Sequence, residues 1–190
     1  MPAAVSVFSL WLPILLSAVF VFIVSSVIHM ALTYHRSDLR PIPDEAGVMA
    51  ALAGFEIPPG DYMVPRAASM EAMKSPDFIA KLQKGPVFLA TFLRPGPLNM
   101  GASLGKWFVY CLVVSVFAGY IAGITLPAGT PYMTVFRVTG TVAFVGHALA
   151  LWQDSIWHAR QVSTTWKMTF DGLVYGLVTA GAFGWLWPKA

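Results

Sequence analysis

Few residues in this chain can do polar chemistry inside an otherwise apolar sequence, and they recur on one side of one segment. Arg137, His147, Asp154 and His158 fall within roughly 100° of one another when projected at 100° per residue on a helix. Asp154 and His158 are one helical turn apart, where i,i+4 side chains meet. His29 ends the first apolar segment and Asp171 begins the last. Histidine and carboxylate side chains bind divalent metals, relay protons or pair as ions. A charge inside a membrane helix costs about 2.5–3.5 kcal/mol on insertion scales, so these groups have a role, structural or functional. His29, Asp154, His158 and Asp171 form the candidate polar cluster, with His29, Asp154 and His158 as the metal candidates. His35 is close in sequence but lies beyond the first apolar segment.

The elements that must position these residues are membrane helices. The 190 residues are 57% hydrophobic and 11% charged, with a mean hydropathy of +0.67. Soluble proteins carry about 25% charged residues. A membrane-crossing helix needs about 20 apolar residues, and Phe8–Leu32, Trp107–Leu126, Phe136–Trp157 and Met168–Trp187 approach that. The expected fold is an all-α integral membrane four-helix bundle, with a Pro-rich, partly helical cytoplasmic segment between helices 1 and 2. The expected division is residues 1–32 (helix 1), 33–104 (cytoplasmic segment) and 105–190 (helices 2–4). The first segment lacks the basic start and small-residue cleavage pattern of a signal peptide and is read as a retained helix.

Loop charge sets the expected orientation. The stretch Pro127–Thr134 has no charge, whereas Arg36, Arg40 and Lys106 flank the first loop and Arg160 and Lys167 lie in the third. The positive-inside rule places those basic loops in the cytoplasm and both termini outside, as in a bacterial-type inner membrane. Trp11, Trp185 and Trp187 would mark one interface and Trp107, Trp157 and Trp166 the other.

Segment 33–104 contains nine of the chain's 14 prolines and balances seven basic against seven acidic residues. With no basic patch, no nucleic-acid partner is expected. Pro43-Asp44-Glu45 is a helix start, with an apolar face of Val48, Met49, Leu52 and Phe55 and a stop at Pro58-Pro59-Gly60. Ser75-Pro76-Asp77 starts a second helix that ends at Gly85-Pro86. Val87–Leu93 is a strand or a surface-lying run. The segment either caps the bundle or binds a partner.

Small residues predict close helix packing. Ser115, Gly119 and Gly123 recur at four-residue spacing, as do Gly172, Gly176, Ala180 and Gly184. These ridges pack on each other within the chain or face another subunit. The lone cysteine, Cys111, excludes an intrachain disulfide and is read as packing. His147 is read as a hydrogen-bonded interior histidine. A haem between His29 and His147 is disfavoured, because they differ in depth by about 12 Å at 1.5 Å per residue.

No phosphate-binding loop, nucleophile elbow or HExxH motif occurs. No catalytic residue is assigned and no cofactor is expected beyond the metal alternative. The leading expectation is a non-catalytic accessory, scaffolding or assembly subunit of an inner-membrane complex. Its partners would be the lipid bilayer and other membrane subunits or copies of itself. The alternatives are an ion or small-solute transporter acting as a homo-oligomer, and a metal- or redox-cofactor membrane protein.

Overall fold

The computed structural model describes residues 4–190, of which 68% overall is helix. Two compact units are formed: residues up to Leu39 with Asn99–Ala190, and Arg40–Leu98. Residues 33–39 thus belong with the long helices.

The first unit contains α1 (Trp11–Ala31), α4 (Met100–Thr125), α5 (Tyr132–Ala148), α6 (Trp152–Trp157) and α7 (Val162–Leu186). Residues Val7–Leu10 add a 3-10 turn before α1, so that Pro13 falls in the first α-helical turn, where its missing N–H leaves no bond unmade. Asn99 caps α4, its side chain accepting from the Ala102 N–H at 2.9 Å. Three stretches, Val7–Ala31, Met100–Thr125 and Tyr132–Trp157, are long and apolar enough to cross a membrane. Helix α7 matches them in length, but Asp171 and its glycines and threonines lower its hydropathy.

Helices α1, α4, α5 and α7 pack in a closed cycle: α1 on α4, α4 on α5, α5 on α7 and α7 on α1. Their ends are tied in two places. At one end the Val5 N–H donates to Gly123 O, the Gly129 N–H to Pro188 O, and the Trp187 indole to Pro127 O, all within 2.9 Å. At the other, the turn Tyr34–Ser37 is bonded to α7. Trp187 is therefore buried packing material and not an interface side chain, unlike the exposed Trp11 and Trp185.

The small-residue ridges are used within the chain, but not against each other. On α4, Ser115 hydrogen-bonds Ser17 of α1 at 3.0 Å. A Cβ placed on Gly119 would lie 3.2 Å from Ile14 and Phe183, and Gly123 faces the backbone of Val5. On α7 the ridge meets α5: Gly172 faces Ala148, Gly176 faces Gly140 and Phe144, Ala180 faces Gly140, and Gly184 faces Tyr132. The α5–α7 pair is thereby brought to near backbone contact. Cys111 is fully buried beside Val21 and Tyr175, in the packing role its surroundings imply.

The apolar stripe of the third span is not one continuous helix. A 3-10 turn, Leu149–Leu151, separates α5 from α6, and His158 lies past the end of α6. The 100° projection that aligned His147 with Asp154 and His158 therefore fails at residue 149, where the helical repeat tightens.

The second unit holds α2 (Glu45–Ala53), β1 (Gly60–Val64), α3 (Pro76–Lys84) and β2 (Phe88–Phe92). Both expected helices form at their expected starts: Ser75 caps α3, accepting from the Phe78 N–H, and Asp44 caps α2, accepting from the Gly47 N–H. The all-α expectation needs correction here, because β1 and β2 pair antiparallel with Tyr62 opposite Ala90. Helix α2 stops at Ala53, and Gly60 begins a strand instead of only ending a helix. No residue from Arg40 to Leu98 is buried.

Candidate functional site

The polar residues separate into two groups rather than one. Asp154 pairs with His158 at 3.2 Å and with Arg160 at 3.9 Å. Among the described residues none of its bonds reaches His29 or Asp171. Its side chain is 46% exposed and that of His158 is 68% exposed. These residues, with the Ser155–Thr165 hydroxyl pair at 2.6 Å, fasten the connection between α6 and α7. Exposed pairs of this kind contribute about 0–1 kcal/mol. Asp154→Asn is therefore expected to shift the unfolding midpoint of detergent-solubilised protein by less than about 1 kcal/mol in stability. A loss of several kcal/mol would show that the connection is held by this carboxylate.

The second group is built at the end of α1. Helix α1 stops at Ala31, and the chain turns through Tyr34–Ser37 so that Tyr34 and His35 fold back against α7. There Asp171, 3% exposed, accepts hydrogen bonds from the Tyr34 hydroxyl on Oδ1 and pairs with His35 Nε2 at 2.8 Å on Oδ2. The other nitrogen of His35 meets Asp38 Oδ2 at 2.7 Å. Lys167, one turn before Asp171, donates to Asp38 Oδ1 at 2.7 Å, to the Tyr34 carbonyl at 2.6 Å and to the Ser37 hydroxyl at 2.8 Å. The His29 ring lies against that of His35, tilted by 41°, with ring centroids 4.4 Å apart. Six polar side chains, Tyr34, His35, Ser37, Asp38, Lys167 and Asp171, thus join the turn to α7, and each buried charge faces an opposite charge or a donor, as burial requires.

This arrangement corrects the expected cluster. His29 and Asp171 come together, but their companion is His35, whereas Asp154 and His158 form the separate pair. The expected metal set His29, Asp154 and His158 is likewise not assembled. Among the described residues, His29, His35 and Asp171 each present a ligand atom within 4.8 Å of the others. Sequence distance from the apolar run was a poor guide to His35, since a 3-10 turn reverses the chain after the helix. The signal that was available is the run Tyr34-His35-Arg36-Ser37-Asp38, dense in groups that can partner a buried aspartate.

The electrostatics of the turn follow from this packing. Burial alone pushes the Asp38 carboxyl up, but hydrogen bonds and charge from Lys167 and His35 outweigh it and hold the group below its usual range. Burial, reinforced by the hydrogen bond to Asp171, raises the Tyr34 hydroxyl. A carboxyl lowered by folding stabilises above its unfolded pKa of about 3.9 and loses that contribution as pH falls through the folded value. A phenol raised by folding stabilises below about 10 and loses its contribution at higher pH. Asp38 and Tyr34 therefore contribute their full stabilisation between about pH 4 and pH 10. In Asp38→Asn protein the acid-side decline should shrink; an unchanged acid limb in pH-dependent unfolding would exclude Asp38 as its source.

Deeper in the packed helices, His147 is 8% exposed and ringed by Trp107, Tyr110 and Tyr175, with centroids 5.9, 5.5 and 5.3 Å away. The expected hydrogen bond is not made at Nδ1, which has no partner among the described residues; nor has the Tyr175 hydroxyl or the Thr179 hydroxyl. Arg137, exposed, lies in the wall of a shallow groove of about 280 Å³ between α5 and α7. Comparison with protein-family models, curated proteins and solved structures gives no match.

Proposed function

We propose that this chain is a four-crossing integral membrane protein that acts as a non-catalytic accessory or assembly subunit. Helix α7 is the fourth crossing, with its Asp171 neutralised by the turn at the end of α1. The basic residues Arg36, Lys106, Arg160 and Lys167 gather at the end that carries this turn, so the positive-inside rule makes it cytoplasmic and leaves both termini outside.

The observation that carries the accessory role is the unit Arg40–Leu98. It has no buried residue, yet it exposes large apolar side chains, including Phe55 at 74%, Met70 at 72% and Leu93 at 67%. A unit of about 60 residues is marginal even with a core. An apolar surface without one is completed by a further surface, and a protein partner supplies the most specific cover. Protein purified from its native membrane in mild detergent is expected as a complex of defined stoichiometry. Phe55→Asp together with Leu93→Asp should release the partner while the first unit keeps its unfolding midpoint. A monodisperse single-chain particle would contradict the reading.

One observation favours a second reading, transport of a small ion. Lys167, Asp171, Tyr175 and Thr179 recur every four residues along α7, and the last two, with His147, hold the unpartnered buried side-chain polar atoms among the described residues. Polar groups within membrane helices mark ion and proton pathways. This reading predicts proton flux in liposomes that Tyr175→Phe abolishes. Liposomes that remain proton-tight with the parent protein would remove it.

A further inference from the structure

We propose that His29, His35 and Asp171 form a binding site for one divalent transition-metal ion of the zinc class, joining the end of α1 to α7. This goes beyond the accessory role and does not depend on it. The three residues come from three places: the last turn of α1, the turn after it, and the third turn of α7. One ligand atom from each lies within 4.8 Å of the others. Two imidazoles and a carboxylate are the ligand types of open zinc sites, which keep a fourth position for water or another group.

The surroundings are those of a metal site as well as of an ion pair. Asp38 engages His35 Nδ1 at 2.7 Å, which turns Nε2 toward Asp171 and His29. A carboxylate on the far nitrogen is the usual support of a metal-bound histidine, fixing its tautomer and orientation. Lys167 in turn anchors Asp38 at 2.7 Å. The Tyr34 hydroxyl occupies Asp171 Oδ1 and leaves Oδ2 as the single ligand oxygen. His35 and Asp171 are therefore each held by an outer residue, Asp38 and Tyr34, and neither outer residue is asked to bind the ion.

The required movement is small. His35 Nε2 and Asp171 Oδ2 are 2.8 Å apart, as a hydrogen bond demands. Two ligands at about 2.0–2.1 Å from a tetrahedral ion are separated by about 3.3 Å, so the pair must open by about 0.5 Å. The ion takes the place of the proton between them, and binding releases that proton to water. His29 then moves from its tilted contact with His35 to sharing its ion. It is exposed at the end of α1, so its ring has room to turn.

His29→Ala separates this proposal from a purely structural role, because His29 makes none of the hydrogen bonds that tie Tyr34, His35 and Asp38 to α7. Full-length protein in detergent, stripped with chelator, would be titrated with zinc by calorimetry. One zinc per chain is expected, and cobalt in its place should give the visible absorption of a tetrahedral site. Removing a direct ligand should weaken zinc binding by more than the 10–100-fold typical of an outer residue, while His29→Ala unfolds at the parent midpoint. His158→Gln should leave zinc affinity unchanged. No stoichiometric zinc in the parent, an unaltered affinity in His29→Ala, or an equal loss in His158→Gln would each overturn the proposal.

Discussion

Asp171→Ala is expected to cost about 3–5 kcal/mol of stability, the range found when one partner of a buried charged pair is removed. The carboxylate serves Tyr34 and His35 at once, and at 3% exposure no water can replace it at both positions. Deletion leaves a phenolic hydroxyl and a ring nitrogen unpaired, and Asp38 must then hold His35 alone. Asp171→Asn keeps an acceptor for Tyr34 but loses the charge opposite His35, so its cost should fall between that of alanine and zero. Tyr34→Phe removes a single hydrogen bond and is expected to cost about 1 kcal/mol. Reversible unfolding in mixed micelles would rank the three. An alanine variant that unfolds with the parent would show that the turn is not fastened to α7 through Asp171.

The second large effect comes from one substitution made at two glycines, with opposite signs. Gly172→Ala places a methyl 2.8 Å from the Ala148 Cβ and 3.3 Å from its Cα, atoms that belong to the neighbouring backbone and cannot swing away. The helices must separate, and overpacking of this kind costs about 1–3 kcal/mol. A leucine at the same place should exceed that. Gly105→Ala meets nothing within 4 Å in α4 and gains helix propensity, so it should stabilise by up to about 1 kcal/mol. Thermal unfolding of both proteins in the same detergent measures the pair directly. Two stabilising or two neutral results would mean that α5 and α7 are not in near backbone contact.

Hydropathy carried most of what could be read in advance. Phe8–Leu32 corresponds to Val7–Ala31, and Trp107–Leu126 to α4, which ends one residue sooner and begins earlier because Asn99 supplies a cap before the apolar run. The starts of α2 and α3 were legible because proline, early acids and, at Ser75, a single capping side chain decide them. Strand β1 was not: Gly60-Asp61-Tyr62-Met63-Val64 is too short to show a period and forms only by pairing with Phe88–Phe92. The glycine ridges announced close packing, but spacing along one helix is silent on the identity of its neighbour. The site was half legible for a related reason. Asp171 and His29 could be placed by depth, since depth follows from position along a helix. His35 could not, because it reaches Asp171 through a reversal after the helix ends, and Asp154 was misplaced by a projection that ignored the 3-10 turn at Leu149–Leu151.

Four crossings, with α7 as the fourth, is the claim on which the proposed orientation and the position of the site depend. Single cysteines in a Cys111→Ala background, reacted with a membrane-impermeant maleimide in sealed, oriented vesicles, test it most directly. Exposed positions suited to labelling are Ser69, Ala128, Gln161 and Lys189. Cysteines at Ser69 and Gln161 are expected to react from one side, and those at Ala128 and Lys189 from the other. Reaction of the Lys189 and Gln161 positions from the same side would contradict the account, since α7 would then not cross the membrane.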